Sequence, residues 1–133
     1  MPLQRIQNTA ARMVTRSRRY EHISPILRQL HWLPIIQRIQ FKILLLTFKT
    51  RNGQCPSYLS ELIKQKVPST RLRSSTSSHL QLMPGPRVKT RYGDRAFSVA
   101  APKLWNTLPP QIQNAPSLQT FKTMLKTHLI KSL

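Results

Sequence analysis

The stretch Pro34-Ile-Ile-Gln-Arg-Ile-Gln-Phe-Lys-Ile-Leu-Leu-Leu-Thr-Phe-Lys-Thr-Arg-Asn-Gly53 decides which fold this chain can form. Apolar residues at positions 35, 36, 39, 43, 44 and 46 recur at helical spacing and cover more than half of the helix circumference. We therefore predict a central, mostly buried helix from Pro34 to Arg51. It should end at Asn52-Gly53, because glycine readily adopts the left-handed conformation that closes helices.

Shorter helical patterns lie on both sides of this segment. One apolar stripe, spaced by three and four residues, predicts a first helix near the N-terminus. Ser24-Pro25 combines a capping hydroxyl with a proline, which predicts the start of a short second helix. A fourth helix is expected after Pro56-Ser57. The N-terminal stripe comprises Leu3, Ile6, Ala10, Met13 and Val14.

The C-terminal part predicts two more helices. The first runs from Ser98 to Asn106, with Pro102 near its first turn, and Pro109-Pro110 ends it. Ser117 should cap the last helix through its hydroxyl. We expect Trp32 and Trp105 to lie in the core. The stripe of the last helix comprises Leu118, Phe121, Met124, Leu125, His128 and Leu129.

Composition divides the chain into three parts. We expect residues 1–66 to form an N-terminal helical part, and residues 67–79, rich in Ser, Thr and Arg, to form a linker or flexible basic arm. Residues 80–133 combine helices with short extended segments, the latter near residues 80–92 around Pro84-Gly85-Pro86. The predicted fold class is therefore mainly α, with about five or six helices.

Charge is the strongest compositional feature. The chain has 22 Lys and Arg residues against three acids, Glu21, Glu61 and Asp94, and its formal net charge is +19 over 133 residues. Positive charges this numerous repel one another and attract polyanions. We therefore expect nucleic acid as the partner, and an anionic membrane surface as the second candidate. We expect no membrane span, since no stretch approaches the ~20 apolar residues that one needs.

The same composition argues against an enzyme. Two-metal catalysis, glycoside hydrolysis and acid–base catalysis by carboxylate pairs need several carboxylates at one site, and the three acids of this chain are far apart in sequence. The histidines and Cys55 lack the spacing of zinc ligands, and no glycine-rich phosphate loop is present. We therefore expect no catalytic residue, no metal and no cofactor. The histidines are His22, His31, His79 and His128.

The expected location is intracellular, in the nucleus or cytoplasm. A single cysteine excludes an intrachain disulfide framework and indicates a reducing compartment. The N-terminus has Arg5 and Arg12 but no continuous apolar core of a secretory signal. An arginine-rich start without acids is also typical of mitochondrial presequences, so that alternative stays open.

Three clusters are the predicted nucleic-acid contacts. These cations differ from those that merely keep helices soluble because acids that could balance them are lacking. Where an arginine also lies beside a tyrosine, it can bind phosphates while the ring stacks on bases. About half of the basic side chains could have only that solubilising role. The clusters are Arg16, Arg18 and Arg19 with Tyr20; Arg71 and Arg73; and Arg87, Lys89, Arg91 and Arg95 with Tyr92.

Six strings, taken in order, carry a resemblance to a known family. The first three are Leu3-Gln-Arg-Ile-Gln-Asn-Thr-Ala-Ala-Arg12, His22-Ile-Ser-Pro-Ile-Leu-Arg-Gln-Leu-His-Trp-Leu-Pro34 and Arg38-Ile-Gln-Phe-Lys-Ile-Leu-Leu-Leu-Thr47. The others are Pro56-Ser-Tyr-Leu-Ser-Glu-Leu62, Gly93-Asp-Arg-Ala-Phe-Ser-Val-Ala-Ala-Pro-Lys-Leu-Trp-Asn-Thr-Leu-Pro109 and Ala115-Pro-Ser-Leu-Gln-Thr-Phe-Lys122. Together they resemble the C-terminal end of the reverse transcriptase polyprotein of non-LTR retrotransposons, the LINE elements. The resemblance extends from Leu3 to Leu133.

The resemblance implies a small, thumb-like helical segment. In that family the polymerase aspartates and the endonuclease lie upstream of the matching region, so no catalytic residue carries over to this chain. Met1 falls where the family's chain continues, which is typical of a truncated copy. The expected function is a non-catalytic remnant that binds RNA or DNA with low specificity. The alternative is a structural segment that packs on other reverse transcriptase domains and has no independent function.

Overall fold

The structure is a computed structural model that describes residues 2–66 and 81–132. Over these residues the chain is mainly α-helical, which confirms the predicted fold class. A 3₁₀ turn, Gly93–Arg95, precedes the fifth helix, and an isolated antiparallel bridge joins Gln65 to Leu82. The helices are α1 (Pro2–Thr15), α2 (Ile23–Gln29), α3 (Ile35–Arg51), α4 (Ser57–Ser60), α5 (Phe97–Asn106), α6 (Pro110–Gln113) and α7 (Leu118–Lys131).

The chain divides into two compact units. The first comprises Met1–Phe41 with Thr123–Leu133, and the second comprises Lys42–Lys122. The predicted arm, residues 67–79, lies outside the described residues. The division of the sequence into three parts around that arm therefore stays a prediction.

In the first unit, α1 packs against α2 around a small apolar cluster. Its centre is formed by Ala11, Ile26 and Leu27, which are buried. Ile23, Leu30 and Trp32 pack around this centre. The expectation that Trp32 belongs to the core is thus confirmed, although its side chain is only partly buried.

Two glutamine side chains of α1 connect that helix to the start of α3. The Gln4 Oε1 accepts a hydrogen bond from the Ile35 N–H at 2.9 Å, and the Gln7 Nε2 donates one to the Leu33 carbonyl oxygen at 2.9 Å. Ile35 is the first residue of α3, where backbone N–H groups lack intrahelical partners. The side of α1 that carries Gln4 and Gln7 therefore faces the chain at the start of α3.

The apolar stripe of α1 faces outward as a consequence. The predicted spacing correctly indicates the helix, but the buried residue is Ala11, which lies off the stripe. Leu3, Ile6, Met13 and Val14 are between 62% and 76% exposed. This exposed set is called the α1 stripe below.

Stacked aromatic rings form the centre of the second unit. The rings of Phe48 in α3 and Phe121 in α7 lie 4.3 Å apart, and the Trp105 ring in α5 lies 5.9 Å from Phe121. Trp105 and Phe121 are fully buried, as predicted. The Gln113 Nε2 donates to the carbonyl oxygens of Trp105 and Leu108 at 2.6 and 3.1 Å, which joins α6 to the end of α5.

The prediction that α3 is mostly buried is wrong. Ile36, Ile39 and Leu46 are exposed, and of the six apolar positions in the predicted pattern only Leu44 is buried. Thr47 and Thr50 are buried instead. Their hydroxyls donate to the carbonyl oxygens of Ile43 and Leu46, at 2.8 Å each, so burial leaves no hydroxyl donor unsatisfied.

The predicted end of α3 is confirmed. Gly53 has a φ of 65°, and the Gln54 N–H donates to the Lys49 carbonyl oxygen at 2.8 Å. Two other helices end in the same way without glycine: Arg16 after α1 has a φ of 53°, and His31 after α2 has a φ of 54°.

Three predictions about proline and capping need correction. The helix α2 begins at Ile23 after His22, which makes no side-chain cap bond, so Ser24 and Pro25 lie inside its first turn. Proline is tolerated there because N–H groups of the first turn have no intrahelical acceptor. Pro102 lies inside α5 rather than near its first turn.

The pair Pro109-Pro110 starts a helix rather than ending one. The helix α5 already stops at Asn106, and Pro110 is the first residue of α6, a position where proline is favoured. The predicted cap of α7 is confirmed, since the Ser117 Oγ accepts a hydrogen bond from the Thr120 N–H at 3.1 Å.

We predict that Phe121→Ala destabilises the chain by about 3–5 kcal/mol, because it opens a cavity between two stacked rings. Tyr58, which is 64% exposed, provides the control, and Tyr58→Ala should change stability by less than about 0.5 kcal/mol. Urea unfolding followed by circular dichroism measures both. Equal effects of the two substitutions would show that the aromatic stack does not hold the second unit.

Candidate nucleic-acid interface

Two of the three predicted basic clusters lie on the surface of the described chain. Arg16, Arg18 and Arg19 are exposed in the first unit, after α1. Arg71 and Arg73 lie outside the described residues. The third cluster is exposed in the second unit, before α5, and comprises Arg87, Lys89, Arg91 and Arg95.

The first cluster occupies a tight loop that follows α1. The Ser17 N–H donates to the Arg12 carbonyl oxygen at 3.0 Å, which closes the helix with Arg16 in the left-handed conformation. The Thr15 and Ser17 hydroxyls are 2.7 Å apart. The loop is therefore fixed by its own backbone and hydroxyl groups.

Glu21 helps to hold the backbone of this loop. Its Oε1 accepts a hydrogen bond from the Arg18 N–H at 3.2 Å, and its carbonyl oxygen accepts one from the Arg12 Nη2 at 3.1 Å. The Arg18 Nη1 donates to the Tyr20 hydroxyl at 2.6 Å. The guanidinium carbon of Arg18 also lies 5.9 Å from the centre of the Tyr20 ring. Arg18 and Tyr20 thus form one exposed cationic and aromatic pair.

The third cluster lies on residues 84–95, here called the basic segment, which two contacts anchor to α5. The Asn106 side chain brackets Leu82 just before the segment: its Oδ1 accepts from the Leu82 N–H at 2.9 Å, and its Nδ2 donates to the Leu82 carbonyl oxygen at 3.0 Å. Gly85 packs so closely on α5 that a Cβ there would overlap the Ser98 carbonyl oxygen. That oxygen lacks its α-helical donor because residue 102 is proline.

The far end of the basic segment is a turn organised by Thr90. Its Oγ1 accepts from the Gly93 N–H at 3.1 Å, and its carbonyl oxygen accepts from the Asp94 N–H at 3.2 Å. A Cβ at Gly93 would come within 2.9 Å of the Val88 Cβ, so this close approach requires glycine.

The turn displays a second pair of cation and aromatic ring. Tyr92 is 83% exposed, and the guanidinium carbon of Arg95 lies 5.9 Å from the centre of its ring. An exposed ring can stack on a nucleobase, while adjacent guanidinium groups bind phosphate oxygens through paired N–H donors. Both described clusters therefore offer the same combination of groups.

Arg51 contributes to the net charge, but it packs against the core instead of lying fully exposed. The guanidinium carbon of Arg51 lies 5.0 Å from the Trp105 ring centre, and its buried Nε has no hydrogen-bond partner. Burial lowers the pKa of Arg51, although a guanidinium remains protonated at physiological pH. The sequence gives no signal for this contact except that Arg51 ends α3.

The described residues provide no metal centre and no membrane span. Among residues 2–66 and 81–132, no group of three or more His, Cys, Asp or Glu side chains is placed to hold a metal ion. Within the same ranges, the helices are too short or too polar to cross a bilayer.

Comparison with known proteins gives no match. No family model matches the chain, and neither a curated protein nor a solved structure is significantly similar to it. The resemblance to reverse transcriptases therefore stays a hypothesis based on the strings quoted above.

We predict that Arg51→Met leaves oligonucleotide affinity within about twofold of the parent chain, since the lost charge is half-buried against Trp105 rather than fully exposed. Stability should stay level or rise, because methionine keeps packing against Trp105 and removes a desolvated charge. Arg51→Ala, which also deletes the aliphatic stem, should lower the urea midpoint. A large loss of affinity with Arg51→Met would identify Arg51 as a phosphate contact.

Proposed function

We propose that this chain is a non-catalytic, C-terminal segment of a retrotransposon reverse transcriptase that binds RNA or DNA with low sequence specificity. The resemblance of its sequence supports the family, and its charge supports the activity. Nucleic acid is the polyanion whose phosphates best match clustered arginine and lysine. The expected location is intracellular, in the nucleus or cytoplasm, where such a ligand is available.

The observation that carries the binding proposal is the anchored basic segment. Four exposed cations, Arg87, Lys89, Arg91 and Arg95, lie within nine residues of backbone held by Asn106, Gly85 and Thr90. Holding the backbone in advance reduces the conformational entropy that is lost when phosphates bind. Cations on an unanchored chain would lose more conformational entropy when they bind phosphates.

The size of the phosphate contribution follows from counterion release. If about five side chains of this protein each engage one phosphate of duplex DNA, the logarithm of the affinity falls with the logarithm of salt concentration at a slope of about −4 to −5. The slope for single strands is shallower, at about −0.7 per phosphate. Such binding reads no sequence, which agrees with the low specificity proposed here.

We predict that the triple variant Arg87→Gln, Lys89→Gln, Arg91→Gln binds a duplex more weakly and reduces the salt slope by about two to three. The matched control Arg38→Gln, Lys126→Gln, Lys131→Gln removes equal charge from exposed helix positions and should keep most of the slope. Fluorescence anisotropy between about 50 and 200 mM salt measures both. Equal losses in the two variants would show that the basic segment is not a preferred site.

A second function is supported by the α1 stripe: packing on another protein, such as further domains of a reverse transcriptase. Leu3, Ile6, Met13 and Val14 are more than 60% exposed on one side of α1. A contiguous apolar surface of this kind is typical of an interface. This reading requires no nucleic-acid binding by the chain alone.

If the α1 stripe is an interface, the isolated chain should self-associate as its concentration rises. The variant Leu3→Gln, Met13→Gln, Val14→Gln should then be monodisperse, because glutamine keeps helix propensity and removes the apolar surface. Tyr58→Gln with Met83→Gln changes exposed apolar residues elsewhere and should still associate. Light scattering with size-exclusion chromatography distinguishes the variants. A parent chain that stays monomeric throughout would contradict this second function.

A further inference from the structure

An open groove of about 490 Å³ lies beside the basic segment, within the second unit. One wall is the segment itself, and the other is α5. The apolar part of its lining is formed by Pro84, Pro86, Val88, Val99 and Pro102. These short apolar side chains suit a planar, weakly polar ligand rather than an extended hydrophilic one.

Besides Gly85 and Asn106, the lining includes two cations and one acid. Arg87 and Lys103 come from opposite walls, and Asp94 comes from the 3₁₀ turn. Asp94 is one of only three acids in a chain with 22 basic residues. A carboxylate weakens phosphate binding nearby, so pure phosphate neutralisation does not account for an acid in this groove.

The carboxylate suggests which planar ligand fits. A carboxylate is an acceptor with two oxygens, so it pairs best with two adjacent N–H donors. Guanine presents such a pair, N1–H and the N2 amino group, on its Watson–Crick edge. Adenine and cytosine place an acceptor beside their amino group, and uracil places its N–H between two carbonyl oxygens.

We infer that this groove receives an unpaired guanine base of a single strand, with Asp94 accepting hydrogen bonds from its Watson–Crick edge. The flat base contacts the proline and valine side chains, and the adjoining phosphates contact Arg87 and Lys103. Protein readout of single strands commonly uses base edges in this way. The inference rests on the proposed nucleic-acid binding and adds a base preference to it.

The test uses the full chain and four labelled RNA strands of about 12 nucleotides, a length within the usual range of single-strand sites. One strand is oligouridine, and the others carry one central guanosine, inosine or adenosine. The guanosine strand should bind at least about fivefold more tightly than the adenosine strand, as expected for a paired contact to one base. Inosine, which lacks the N2 amino group, should lose most of this advantage.

Asp94→Asn is the decisive variant, because Asp94 is exposed and the change keeps its backbone contact with Thr90. It should bring the ratio of guanosine to adenosine affinity close to one, while affinity for plain oligouridine stays level or rises. Glu61→Gln is the matched control, since it removes the same charge from an exposed acid outside the groove. Its ratio should equal that of the parent chain.

Three results would overturn the inference. The first is a parent chain that binds all four strands equally. The second is an Asp94→Asn variant that tightens binding to every strand by the same factor, since Asp94 would then act only as a repulsive charge. The third is guanosine monophosphate binding as tightly as the guanosine strand, since the groove would then take a free nucleotide. Absence of binding to every strand would contradict the proposed function itself.

Discussion

The stacking of Phe121 between Phe48 and Trp105 is the contact on which the second unit depends. It fixes the position of α5, because Trp105 is fully buried in that helix. Once α5 is fixed, Asn106 can hold Leu82, and the Ser98 carbonyl oxygen meets Gly85. The basic segment thus takes its position from an aromatic core that contains none of its charges.

The charge imbalance determines what the surface can do. With 22 basic residues and three acids, few cations can find an internal partner. The structure uses some of them internally without acids: Arg51 lies over Trp105, and Arg18 donates to Tyr20. Aromatic rings and hydroxyl groups therefore serve as arginine partners where most proteins would use carboxylates. The exposed cations, Arg18 among them, are available to an external polyanion.

Sequence periodicity predicted the helices better than it predicted which side of each helix is buried. The bounds of α1, α3 and α7 follow from apolar spacing and from the chemistry of Gly53 and Ser117. The buried side of α1 could not be predicted, because Gln4 and Gln7 bond to backbone groups near the start of α3, more than 25 residues away. Tertiary contacts of this kind leave no periodic signal.

The candidate site shows the same limit. Local composition indicated the cations of the basic segment and the exposed Tyr92 beside them. It gave no indication of Asn106 holding Leu82, or of Lys103 lining the groove with Arg87. These side chains come from α5, and only the folded chain brings them beside the segment. The contribution of Arg71 and Arg73 stays a prediction, because they lie outside the described residues.

The left-handed residues that close α1 and α2 have a consequence for how the molecule tolerates change. Arg16 and His31 adopt a conformation that glycine enters without strain, whereas other residues enter it at about 1–2 kcal/mol. Glycine at position 31 would relieve that strain without touching a predicted phosphate contact. The substitution Arg16→Gly would relieve that strain only by deleting a cation, so the stability of this helix end and the affinity for a polyanion oppose each other there.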